Sequence, residues 1–163
     1  MQRARVALGV LAAACSLGGT AAAQERWATY TNARFAAKAD YPVNRFTVRA
    51  PPPDNGDGQT FKSEDGRAEL AIWGANNANE DTPQSYVDTY VDKDGVSLKR
   101  VTPRFFIVSG TRGSAIFYQR CNFPTTRDGI IHCISITYPA QDKAAWDAIV
   151  TRISQSLSAG RNR

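Results

Sequence analysis

The sequence predicts an α+β fold, a mostly antiparallel sheet with a middle helix and a C-terminal amphipathic helix packed on it. Three observations carry this expectation. β-rich runs between Arg34 and Trp73 are broken by Pro-rich and Asp-Gly turn signals, Thr82-Pro83 opens a helix in mid-chain, and a second series of β-rich runs closes in a helix with 3.6-residue apolar periodicity. The order strands, helix, strands, helix suits an antiparallel sheet with helices laid on it. A length of 163 residues with 42% apolar and 21% charged composition and a mean hydropathy of -0.39 describes a globular chain. It is too apolar for disorder and too polar for a membrane bundle.

Residues 1–23 read as an export signal. Arg3 and Arg5 lie in an acid-free start, Val6 to Leu17 is apolar, and Ala21-Ala22-Ala23 sets small residues before Gln24. The apolar run is about 12 residues where a bilayer helix needs about 20. Cleavage after Ala23 is therefore expected, with no transmembrane span left. An alternative is lipidation of Cys15, although Ala12 stands where bacterial lipoprotein signals usually carry Leu. Residues 24–160 then form one globular domain, followed by a basic tail at 161–163. Losing Arg3 and Arg5 lowers the net charge from +5 to +3. Basic and acidic residues alternate without a stripe, which argues against nucleic acid as a partner.

Along the domain, Phe35, Ala37, Ala39 and Tyr41 fall on one face of a strand over 34–41 that Pro42 ends. Ala50 to Gly58 holds too many breakers for anything but an exposed loop. Thr60–Ser63 and Ala68–Trp73 bracket Asp65-Gly66 as a hairpin. Asn76 to Asp81 reads as polar loop. From Thr82-Pro83 a helix carries Tyr86, Val87, Tyr90 and Val91 in one stripe with an acidic outer face, and Gly95 is placed to stop it. Val96–Val101, Arg104–Val108 and Ser114–Cys121 follow as strands, the last two joined through Gly110 to Gly113. In the closing helix Asp142 is placed to cap, while Trp146, Ile149, Val150, Ile153 and Leu157 share one side. Lys143 and Arg152 should stay in water.

Removing Cys15 with the signal leaves Cys121 and Cys133. They flank Pro124 and Arg127-Asp128-Gly129 between two β-rich runs, and in an oxidising compartment they are expected to form a structural disulfide across a hairpin. A redox pair would more often be spaced C-x-x-C.

Tyr41-Pro42 with Phe46, then Asp57-Gly58, Phe61, Asp65-Gly66, Leu70, the tyrosine-rich middle helix and Tyr138-Pro139 ahead of the last helix resemble small exported α-proteobacterial proteins of unassigned activity. Their layout is similar to the Mog1/PsbP-like α/β/α sandwich. The resemblance covers residues 30 to 158 and implies an accessory or partner-binding role by fold analogy. It implies no metal or photosystem contact, since no binding motif matches.

The chemistry-bearing residues are sparse. His132 is the single histidine, in a strand with Ile130, Ile134 and Ile136 on one face; a general base needs a nucleophile and an orienting partner beside it. One His and two oxidised Cys do not make a zinc site. Asp54, Asp57, Glu64 and Asp65 could offer oxygens to Ca²⁺, but Gly56 and Gly58 break the EF-hand pattern. Nucleotide-binding glycine motifs and the common hydrolase signatures are missing. Tyr86 and Tyr90 could line a ligand groove, with core packing the better explanation of the stripe. Trp27 and Tyr30 could dock a partner. The expectation is a periplasmic or secreted accessory or binding module without catalysis or cofactor, acting on a protein partner in the cell envelope. A small envelope hydrolase using His132 is the alternative, recognisable by a pocket joining His132 to a carboxylate and a hydroxyl.

Overall fold

Seven strands form one antiparallel sheet, and a second sheet of three short strands packs beside the C-terminal helix. The structure is a computed structural model that describes residues 24–126 and 128–160; the signal segment, Cys15, the cleavage residue Ala23, Arg127 and the tail at 161–163 lie outside them. In chain order the elements are β1 (Trp27–Thr31), β2 (Ala37–Pro42), β3 (Val48–Arg49), β4 (Gly58–Lys62), β5 (Glu69–Asn76), α1 (Pro83–Tyr90), β6 (Val96–Val101), β7 (Phe105–Arg112), β8 (Ala115–Asn122), β9 (Ile130–Pro139), α2 (Lys143–Ser156) and β10 (Ser158–Ala159). The main sheet has the order β3-β4-β5-β9-β8-β7-β6, and the small one β1-β2-β10.

Because β9 lies at the centre of the main sheet, its two alternating side-chain rows feed two cores. Ile134, Ile136 and Tyr138 join Leu70, Ile72, Phe61 and the apolar stripe of α2, while Ile131 and Cys133 join Phe106, Val108, Cys121 and Val87 of α1. The helices therefore cover opposite faces. A strand buried on both sides reads as a near-continuous apolar run, and Ile130-Ile131-His132-Cys133-Ile134 is such a run interrupted by His132. On α2, Trp146, Ile149, Val150 and Ile153 are buried as their spacing requires, each contributing about 1.5–3 kcal/mol. Trp146 stacks on Tyr138 at 5.2 Å and meets Phe46 at 5.6 Å.

Several elements depart from the expected ones. The segment 34–41 begins its strand at Ala37, because Ala36 has φ +56 and turns the chain after β1. β1 itself was not expected; Trp27 and Tyr30 are half-buried in it. The Arg152 guanidinium lies 4.0 Å from the Trp27 ring and Tyr30 meets Phe61 edge-on at 5.6 Å. Thr82 caps α1 reciprocally with Ser85, and Pro83 is its first residue, but the helix ends at Tyr90, before Gly95. Gly95 serves a turn instead, with φ +68 and no room for a Cβ against the Thr111 carbonyl. Gly110 belongs to β7, where a Cβ would strike the Gly95 carbonyl at 1.9 Å; the β7–β8 turn is centred on Gly113, at φ +56. Asp142 makes no capping bond, because a turn of 3-10 helix over Ala140–Asp142 runs directly into α2.

Candidate functional site

The connections at one end of the main sheet converge on the Asn77–Asp81 segment, and this loop end forms the candidate binding site. Its scaffold is a cross-strand row. Gly58, Trp73, Cys133, Cys121, Phe106 and Val101 stand opposite one another from β4 to β6. Cys121 and Cys133 face each other in register, with Cα atoms 4.1 Å apart and the sulfurs at the disulfide distance of 2.00 Å. The 123–129 connection leaves from this bridge. Phe123 N–H donates to the Arg104 carbonyl at 2.7 Å and Asn77 N–H to the Gly129 carbonyl at 3.0 Å, so three connections are tied together.

Asn77, 3% exposed, organises its own loop. Its side-chain amide donates to the Asp81 carbonyl at 2.9 Å, and its oxygen accepts from Asp81 N–H at 3.0 Å. The Asp81 carboxylate in turn accepts from the Ser85 hydroxyl at 2.8 Å, which joins the loop to the first turn of α1. These bonds satisfy polar groups that burial would otherwise leave unpaired.

Two hollows flank this loop. One, of about 260 Å³, is walled by Tyr86, Tyr90, Asn79, Asp81 and Ile131; the other, of about 210 Å³, by Pro103, Phe123, Pro124 and Thr125 together with Asn77 and Asp81. The tyrosine stripe divides between the readings considered for it. Tyr86 packs inward, stacked at 5.6 Å on Phe106 and edge-on to Phe123, and burial first, with the nearby Tyr90 and Asp81 next, pushes its hydroxyl above the usual phenol value. Tyr90 is 51% exposed, and its hydroxyl accepts from the Asn79 amide at 2.7 Å. Core packing thus explains Tyr86 and leaves Tyr90 on the rim. In the sequence Asn79 and Asp81 belong to a polar loop and Ile131 to a β-rich run, and nothing local marks residues that only the register of β5, β9 and α1 brings together.

The other sequence candidates are scattered. His132 is half-buried opposite Gly74 and Asn122. Its Nε2 pairs with the Phe35 carbonyl at 2.9 Å, the one hydrogen bond of its side chain among the described residues. Neither a carboxylate nor a hydroxyl joins it. Asp57 accepts from the Asn55 amide in the 50–57 loop, whereas Asp65 is held in the β4–β5 turn by Ser63 and Arg67. Those bonds keep the Asp65 carboxyl well below the usual carboxylate range. Among the described residues no three His, Cys, Asp or Glu side chains gather as metal ligands.

With its aromatic wall, amides and one carboxylate, the loop end is suited to seating a polar or aromatic side chain. No family profile matches the chain and no curated protein matches it in sequence. Solved structures do match. Cyanobacterial PsbP (CyanoP) from Synechocystis sp. PCC 6803 superposes with a TM-score of 0.58 at 9% identity, over 88% of this chain and 97% of that one. The Saccharomyces cerevisiae Ran-binding protein Mog1p gives a TM-score of 0.51 at 10% identity, over 83% and 96%. At these identities the likeness speaks for architecture alone, and the chain has the Mog1/PsbP-like α+β fold.

Proposed function

We propose that this protein is an exported accessory module, periplasmic or secreted, that docks a protein partner of the cell envelope and performs no catalysis. The observation that carries the reading is the Tyr90 rim, a large aromatic left half in water beside an amide and a carboxylate, on a loop end made rigid by the Cys121–Cys133 pairing. Aromatics so placed are the usual anchors of contact surfaces. The basic, apolar and small-residue order of residues 1–23 supports export, and a cysteine pair at disulfide distance suits an oxidising compartment. Among the described residues no helix is long and apolar enough to cross a membrane. One solved protein of the same fold is described as Ran-binding, an analogy of use rather than of partner. The position of His132 lends nothing to a hydrolase.

The test is a photo-crosslinking residue placed at Tyr90 in the full chain, expressed with its own N-terminus and activated in cells. A discrete adduct from position 90, lost in the Asn79→Ala background and not formed from Lys38 on exposed β2, is the expected result. No adduct, or the same adducts from both positions, would overturn the reading.

A further inference from the structure

We infer that the corner of the main sheet formed by β6, β7 and β8 is a second contact surface, built to receive an acidic segment of a protein partner with its carboxylates on Arg100 and Arg120. This surface lies on the face covered elsewhere by α2, opposite the face of α1 and Tyr90, so it stands or falls apart from the loop-end reading. The register places Arg100, Ile107 and Arg120 in one cross-strand row, and Leu98, Ser109 and Tyr118 in the next. The same rows continue into Ile134 and Ile136 beneath α2, but α2 does not extend over β6 and β7. Leu98, Phe105 and Ile107 accordingly belong to neither core, and Leu98 is 51% exposed.

Two guanidinium groups converge on this apolar floor. Arg100 Cζ stands 5.4 Å and Arg120 Cζ 4.7 Å from the Phe105 ring centroid. Arg120 is held in place, donating through Nε to Asn122 Oδ1 at 2.9 Å and through Nη1 to Ser154 Oγ at 3.4 Å. Lys99, on the opposite face, pairs with Asp88. Among the described residues neither Arg100 nor Arg120 meets a carboxylate, nor does the adjacent exposed Arg104. Each guanidinium keeps N–H donors with no carboxylate to meet them, and an acidic side chain brought to this corner would accept paired N–H bonds. A membrane surface or a nucleic acid would call for a longer basic cluster than two or three arginines. A protein segment alternating acidic and apolar residues satisfies both the charges and the apolar floor of exposed Leu98 and half-buried Ile107.

The probe is a fluorescent synthetic peptide in which Glu alternates with Leu, titrated into the folded protein at low salt and followed by anisotropy and by amide chemical-shift mapping. Shift changes should concentrate in 98–109 and 118–122. Arg100→Glu, an exposed site, should weaken binding at least about tenfold, the loss of one good ion pair, whereas Lys38→Glu should leave it unchanged and Arg100→Lys should fall between. Shifts spread over the whole surface, equal losses from Arg100→Glu and Lys38→Glu, no binding, or Arg100-dependent capture of phosphatidylglycerol vesicles or single-stranded DNA in preference to the peptide would each overturn the inference.

Discussion

Tyr86 and Tyr90 sit one helical turn apart, share a 4.9 Å ring contact, and do different work. Tyr86 lies against Phe106 and Phe123, and ionising it would place a charge on a half-buried ring packed against the core. Its folded value is raised above 10.0 by burial first and by Tyr90 and Asp81 next. A raised value means that the neutral phenol stabilises the fold below pH 10.0, and that this contribution is lost as pH climbs through the folded value. Tyr118 and Tyr138 are raised in the same direction by burial. An alkaline titration followed by phenolate absorbance should therefore show a late group of phenols, and Tyr86→Phe should remove one of them while making the fold less sensitive to base. Tyr86→Phe with the late group intact would mean that the stacking on Phe106 is wrong.

At the scale of elements, α2 was legible because burial alone decides which of its residues repeat. Truncating Ile153 to Ala should cost about 2–5 kcal/mol in a urea melt. Lys143→Ala should stay within about 0.5 kcal/mol, since its ion pair with Asp147 is exposed. Arg152, expected to be an ordinary surface residue, is half in water yet lies on Trp27 and within 3.7 Å of Asp40; its truncation should cost about 1 kcal/mol. Equal midpoints for Ile153→Ala and Lys143→Ala would contradict the packing of α2. Less legible were β1 and β10, whose reasons to be strands are pairing with β2 and not a pattern of their own. Gly110 was mistaken for turn because its need is tertiary: β6 begins so close that no side chain fits. Sheet edges and close approaches of this kind leave little local trace, whereas Thr82-Pro83 and Asp65-Gly66 act on their immediate neighbours and could be read directly.

For the molecule as a whole, the two-sided burial of β9 sets a single histidine amid isoleucines, and His132 is a half-buried structural residue tied to the Phe35 carbonyl. The candidate surfaces were the least legible part. Tyr90 was visible as an aromatic in a stripe, but Asn79, Ile131, Arg100 and Arg120 become neighbours of their sites only through strand register. The cysteine pair, by contrast, was legible from a separation of 12 residues across a turn. Closing that loop should stabilise the fold by about 3 kcal/mol in the chain-entropy account. The central claim, an exported module with its loop end held by this bridge, is tested most directly by one intact-mass measurement on protein recovered from the periplasm after expression of the full chain. The account predicts a species that begins at Gln24 and is lighter by two hydrogens than its reduced form, with one linked Cys121–Cys133 peptide. A species starting at Met1 with free thiols would contradict it, and one starting at an acylated Cys15 would replace the free module with a tethered protein.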